Sequence, residues 1–164
     1  MPALFSGETN CVDIHSNRLR INLIFYNQLL KKIIMGLAEK RLAEEIKTDK
    51  LPAFESKLNE KAGYPIKVNI DWATFTAFDQ YPLSRLDIVF DDIEGFVKKI
   101  CQDDMGKEAL KDKMATIHLT NTDQRDDVKM ELKDNILSLN FQLAGDTFSS
   151  FTDSQIAAYV EKQL

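Results

Sequence analysis

Two histidines, two cysteines and several groups of carboxylates are the residues on which chemistry in this chain would depend. Cys11, Asp13 and His15 alternate. If residues 11 to 15 are extended, the three side chains project to one side, and thiolate, carboxylate and imidazole are all metal ligands. A closed site needs a further ligand, and no spacing supplies one. An exposed edge strand is the better reading. His118 is the only other histidine. As a general base it needs a nucleophile or polarising partner within hydrogen-bond reach. Thr116 and Thr120 share its face of a strand, and Asp71 or Glu131 are the carboxylates a sheet could bring across. No motif selects that relay, so a solvated strand histidine is the simpler reading.

The acidic groups are less specific. Asp91, Asp92 and Glu94 have no octahedral or EF-hand spacing and read as the surface of a helix, with Asp103 and Asp104 at a helix end. Asn121, Asp123, Asp126 and Asp127 crowd a connection but lack the glycine a calcium loop requires. Glycine spacing for a phosphate or dinucleotide loop is absent, as are G-x-S-x-G and C-x-x-C, so no cofactor and no catalytic motif is indicated. The stretch from Asp71 to Pro82 is the most distinctive. Trp72, Phe75, Phe78 and Tyr81 recur every three residues in a segment that is neither good strand nor good helix. Aromatics on a connection can line a pocket or form a binding hot spot. More often they plug the end of a core, and that reading is preferred here.

These side chains must be positioned by a chain of 164 residues, 44% hydrophobic and 29% charged, which is the composition and size of one globular domain. The net charge of −5 repels a phosphate backbone, and no basic stripe with interleaved aromatics offsets it, so nucleic acid is not an expected partner. A basic protein partner is favoured electrostatically. The first residues show no secretory pattern, and the most apolar stretch, 19 to 38, is interrupted by Arg20, Asn22, Asn27, Gln28, Lys31 and Lys32. No membrane span and a cytoplasmic location are the expectations. The two cysteines form no disulfide framework.

Hydrophobic periodicity predicts a helix over 17–47, with Leu19, Leu23, Tyr26, Leu30, Ile33 and Leu37 on one face. A second helix is predicted from Pro52 to a stop at Gly63. Ile66, Val68, Ile70 and Trp72 alternate with polar residues as a half-buried strand. A helix follows from Leu83, with Gly95 as its candidate kink and a strand over 86–90 as the competing reading. Gly106 to Met114 extends the helical content, and 116–121 is a second alternating strand. Val128 to Leu143 forms a hairpin turning at Asp134-Asn135, both tolerant of positive φ. Leu132 then faces Leu137, Met130 faces Leu139, Glu131 faces Ser138, and Lys129 faces Asn140. A one-residue slip would oppose apolar to polar side chains throughout. Thr152 to Gln155 has the form of a capping box opening a last helix.

The predicted order is α-α-β-α-β-β-β-α: an α+β domain with one antiparallel sheet of about four strands and helices on its apolar face. The opposite face would carry Lys67, Asn69, Asp71, His118, Thr120, Lys129, Glu131, Asn140 and Gln142. Three functional readings follow. The favoured one is a non-catalytic protein that binds a protein partner, as an adaptor or an inhibitor of the immunity-protein kind. Its candidate contacts are the polar face and the aromatic segment. The second is a small-molecule-binding or enzymatic domain with a pocket of Trp72, Phe75, Phe78 and Tyr81, given polarity by His118 or Asp71. The third is a self-associating subunit, dimerising through the helix over 17–47.

Overall fold

The computed structural model describes residues 36–77, 81–144 and 148–164. Cys11, Asp13, His15, Phe78 and most of the helix expected over 17–47 lie outside them. Residues 37–45 are helical and run through a π turn, Ile46–Lys50, into helix α1, Leu51–Ala62. The expected break before Pro52 is therefore absent. Proline has no N–H and its ring crowds the carbonyl four residues back. Widening the preceding turn, so that Leu51 donates to the Ile46 carbonyl, lets the helix continue past it. Gly63, at φ 75°, ends α1 by donating to the Asn59 carbonyl, as its left-handed conformation allows.

Strand β1, Lys67–Ile70, is followed by two short helices, α2 (Trp72–Thr76) and α3 (Tyr81–Ser84). Helix α4, Leu86–Ile100, comes next and settles the competing strand reading in favour of helix. Helix α5 is Asp104–Lys113, and strand β2 Thr116–Asn121. A 3-10 turn, Arg125–Asp127, leads to β3 (Lys129–Lys133) and β4 (Ile136–Phe141), and α6 is Asp153–Glu161. The hairpin register agrees with the sequence pattern from Lys129↔Asn140 to Lys133↔Ile136, and the turn residues Asp134 and Asn135 have φ of 51° and 62°. The capping box at Thr152 and Gln155 is present with both of its bonds.

The sheet is mixed rather than antiparallel. Its order is β1-β2-β4-β3; β1, β2 and β4 run parallel and only β3 is antiparallel to its neighbour. The helices between β1 and β2 form a crossover, which returns the chain in the same direction. The connection after β2 then bypasses one strand position, and the hairpin places β4 beside β2. Burial explains that choice. Leu137, Leu139 and Phe141 of β4 are almost wholly buried and its outward side chains are uncharged, whereas β3 alternates Lys129, Glu131 and Lys133 with half-buried Met130 and Leu132. The charged strand takes the edge.

Helix α4 contributes Leu86, Val89, Phe90, Ile93, Phe96, Val97 and Ile100 to a core shared with Val68, Ile70, Ile117, Leu119 and the inward residues of β4. Against α1 it stacks Phe90 on Phe54, with ring centroids 4.3 Å apart, flanked by the ion pairs Lys50–Asp87 (2.7 Å) and Lys61–Glu94 (3.2 Å). Against α6 it comes closer. A β-carbon on Gly95 would lie 2.8 Å from Cβ of Asp153, so Gly95 is a packing point rather than a kink. Beside it the Asp92 carboxylate accepts from the Asp153 N–H (3.1 Å), and Lys99 bridges to the Asp153 carboxylate (2.8 Å) and the Ser154 hydroxyl (2.6 Å). Among the described residues no helix is long and apolar enough to cross a membrane.

Two predictions follow from the α4–α6 junction. Gly95→Ala should lower stability by about 1 kcal/mol, because overpacking costs about 1–3 kcal/mol and the gain in helix propensity is only about 1 kcal/mol. A higher denaturation midpoint would show that the junction opens freely. The second concerns pH. Burial, and repulsion from Asp153 and Asp91, push the Asp92 carboxyl up, while hydrogen bonding to Lys99 holds that of Asp153 down. Because folded Asp92 keeps its proton at higher pH than the unfolded chain does, its charge costs stability at neutral pH. That cost develops as pH rises from the ordinary carboxylate range through the raised folded value. Asp92→Asn keeps an acceptor for the Asp153 N–H and removes the charge. Its Tm should exceed the wild-type value at pH 7, with the difference shrinking as pH falls into the ordinary carboxylate range. A lower Tm at pH 7 would mean that the charged cap outweighs its own desolvation.

Candidate functional site

The face of the sheet turned away from the core is built in rows by the strand register. Lys67, Thr116, Ile136 and Lys133 form one row; Asn69, His118, Ser138 and Glu131 form the next; Thr120, Asn140 and Lys129 form a third. Every one of these side chains is exposed or half-exposed. The face therefore gathers seven of the nine residues expected on it: Lys67, Asn69, His118, Thr120, Lys129, Glu131 and Asn140. Ser138 joins them as the neighbour of His118 and is prominent only once β4 is known to lie beside β2.

Within the second row His118 stands between Asn69 and Ser138. Glu131 is a further strand away, roughly 10 Å at normal strand spacing, and so is not its hydrogen-bond partner. Asp71 is no partner either. Its N–H continues the ladder by donating to the Leu119 carbonyl, and its carboxylate caps α2 by accepting from the Ala73 N–H at 3.2 Å. The relay considered for His118 with Asp71 or Glu131 is thus not assembled.

Two of the expected polar contacts serve the fold instead. Asn140 accepts from the Thr120 hydroxyl (2.9 Å) and donates to the Asp127 carbonyl (2.7 Å), fastening the connection between β2 and β3 to β4. Gln142 was expected on the polar face, but it is buried. The chain leaves the ladder after Phe141, Gln142 forms an isolated antiparallel bridge with Ser149, and its amide donates to the Asp123 carbonyl (3.1 Å). Alternation fails there because the strand has ended. Asn121 at the end of β2 is also buried. Its amide donates to the Thr74 carbonyl (3.2 Å) and accepts from the Leu143 N–H (2.9 Å), tying α2, β2 and the segment after β4 together.

Among the described residues of the aromatic segment, Trp72, Phe75 and Tyr81 have separate surroundings. Phe75 is fully buried and plugs the core. Trp72 is half-buried, with the Lys47 ammonium 5.0 Å from its ring centre. Tyr81 is 48% exposed and stacks on Arg85, whose guanidinium lies 5.1 Å from the Tyr81 ring and 5.2 Å from that of Phe148 while donating to the Leu143 carbonyl (2.6 Å). Phe148 lies 67 residues or so along the chain, in numbering terms from 81 to 148, so no local spacing announced the stack. A groove of about 340 Å³ lies elsewhere, between α1 and α4 over Phe54 and Phe90, and is edged by Lys50, Lys57, Asp87, Asp91 and Glu94.

Nucleophiles and ligands are no closer to a site. Burial pushes the Cys101 thiol up, away from the thiolate that reacts or binds metal. Asp103 caps α5 by accepting from the Gly106 N–H (2.8 Å). Among the described residues no three His, Cys, Asp or Glu side chains converge to hold a metal ion.

The bonds of Asn140 lead to a prediction. Asn140→Ala should cost about 1–2 kcal/mol, the net value of two hydrogen bonds. It should also speed amide hydrogen exchange in residues 122–128 while leaving β1 protected. Unchanged exchange in that connection would show that Asn140 does not hold it.

In comparisons with known proteins the chain matches no family model, no curated protein and no solved structure.

Proposed function

We propose that the chain is a non-catalytic binding module and that the outer face of its sheet receives an acidic surface of a protein partner. The observation that carries this reading is the uncovered side of a parallel run. Sheets of parallel strands are normally covered on both faces. Here β1, β2 and β4 run parallel, helices fill one side, and the other side remains exposed or half-exposed among the described residues. That face is polar rather than apolar, which suits a partner that binds and leaves better than a permanent core. It carries Lys67, Lys129 and Lys133 against the single carboxylate of Glu131, so its charge opposes that of the acidic chain as a whole. The basic partner expected from the net charge gives way to an acidic contact surface, because recognition depends on the local patch.

The test is affinity purification from native cells of the wild type and of Lys67→Glu/His118→Glu, compared at low salt. Both substitutions sit on the open face of β1 and β2 and leave the core untouched. The expected result is a protein retained by the wild type and lost from the variant, with retention falling as salt is raised. Recovery of no protein, or of the same proteins with the variant, would overturn the reading.

A further inference from the structure

The two edges of the sheet are treated differently. At the β1 edge, α1 supplies side-chain acceptors: Asn59 accepts from the Ile66 N–H (2.7 Å) and Glu55 from the Val68 N–H (2.8 Å). That edge is closed to a further strand. At the opposite edge, β3 has no strand beyond it among the described residues. The two-residue turn closes on the pair Lys133↔Ile136, so alternate pairing directs the main-chain groups of Lys129, Glu131 and Lys133 toward β4. Those of Met130 and Leu132 point outward, whereas just before the strand the Val128 N–H donates to the Arg125 carbonyl (3.2 Å). Met130 and Leu132 are also only half-buried on the core side.

From this edge we infer that the protein dimerises by antiparallel pairing of β3 with β3 of a second copy, on a two-fold axis at Met130. Lysines on an edge ordinarily discourage pairing, and with the axis at Glu131 they would. Lys129 would meet the partner's Lys133, and Glu131 the partner's Glu131. Moving the axis by one residue reverses every charge contact. Lys129 then faces the partner's Glu131 and Glu131 the partner's Lys129, while Lys133 reaches the turn holding the partner's Asp127. On the core side Met130 meets the partner's Met130, and Val128 the partner's Leu132, covering side chains that the monomer leaves half-exposed. In the same register the Met130 main-chain groups fall opposite those of the partner's Met130, and the Leu132 N–H falls opposite the carbonyl of the partner's Val128. An axis at Leu132 is cut short by the turn at Asp134, so the axis at Met130 gives the longest complementary pairing. The second copy is thus favoured by the sequence Asp127-Val-Lys-Met-Glu-Leu-Lys133 itself, which is self-complementary when reversed. The product is one continuous sheet made of two four-stranded halves.

A strand pair buries less than a standard interface, so sedimentation velocity should be run from about 1 µM to about 500 µM. The wild type should pass from monomer to dimer. Lys129→Glu places like charges opposite each other twice and should weaken the dimer roughly ten-fold or more. Lys129→Glu/Glu131→Lys restores both Lys–Glu contacts of the Met130 axis and should recover the dimer. Both positions are exposed, and an unchanged circular dichroism spectrum confirms that each variant is folded. A wild type that stays monomeric throughout, a dimer indifferent to Lys129→Glu, or a folded double variant that remains as weak as the single one would each overturn the inference. None of these outcomes bears on the partner test, whose substitutions lie on β1 and β2.

Discussion

The burial of α4 is the constraint on which the rest of the molecule depends. Seven of its fifteen residues enter the core, and they face α1, α6 and the apolar side of the sheet together. A helix buried on so much of its circumference cannot rest on a sheet alone, so it recruits a helix on each flank. The two flanks are fastened in different ways. Toward α1 the contact is wide, with stacked phenylalanines and two partly exposed ion pairs, each of small net value. Toward α6 it is close, made at a glycine, and directed by Asp92 and Lys99 onto the first turn of the last helix. The close contact tolerates less change than the wide one, because backbone and Cβ atoms cannot move aside as side-chain ends can.

The sheet below α4 sorts its strands by what they can afford to bury. β2 and β4 hold the centre, with Ile117, Leu119, Leu137 and Leu139 fully buried and no carboxylate, lysine or arginine on their outer faces. β1 and β3 take the edges, and both carry lysine outward. Side-chain acceptors from α1 then close one edge, leaving the other dependent on its own charge pattern. In this chain the same alternation of Lys and Glu that keeps β3 soluble also determines which strand could lie against it.

The open face of the sheet differs in charge from the chain as a whole. Acidic residues outnumber basic ones in the chain, 26 to 21, yet those among the described residues lie mainly on helices and connections, where they cap α2, α5 and α6 and pair with lysines. The sheet face is left with a local excess of lysine. On the proposed reading an acidic partner would meet that excess at contact distance, while the whole-molecule field acts mainly over longer distances and is screened by salt.

By itself the sequence determined the features that depend on neighbours a few residues apart. The hairpin register follows from period-two alternation around Asp134-Asn135, the start of α6 from Thr152 and Gln155, and the end of α1 from Gly63. Each is fixed by local geometry and short-range hydrogen bonds, so each was legible without knowing the fold. Other features required the tertiary structure. Placing β4 between β2 and β3 depends on comparing the burial of whole strands, and that comparison made the sheet mixed. Gln142 left the polar face because the ladder stopped one residue earlier, and His118 acquired Ser138 instead of Glu131 as its neighbour. Arg85 found Phe148, and Asp92 the start of α6, across separations that no periodicity spans. Pairing at that distance is decided by which arrangement covers the most apolar surface at once, a property of the assembled core and not of any segment within it.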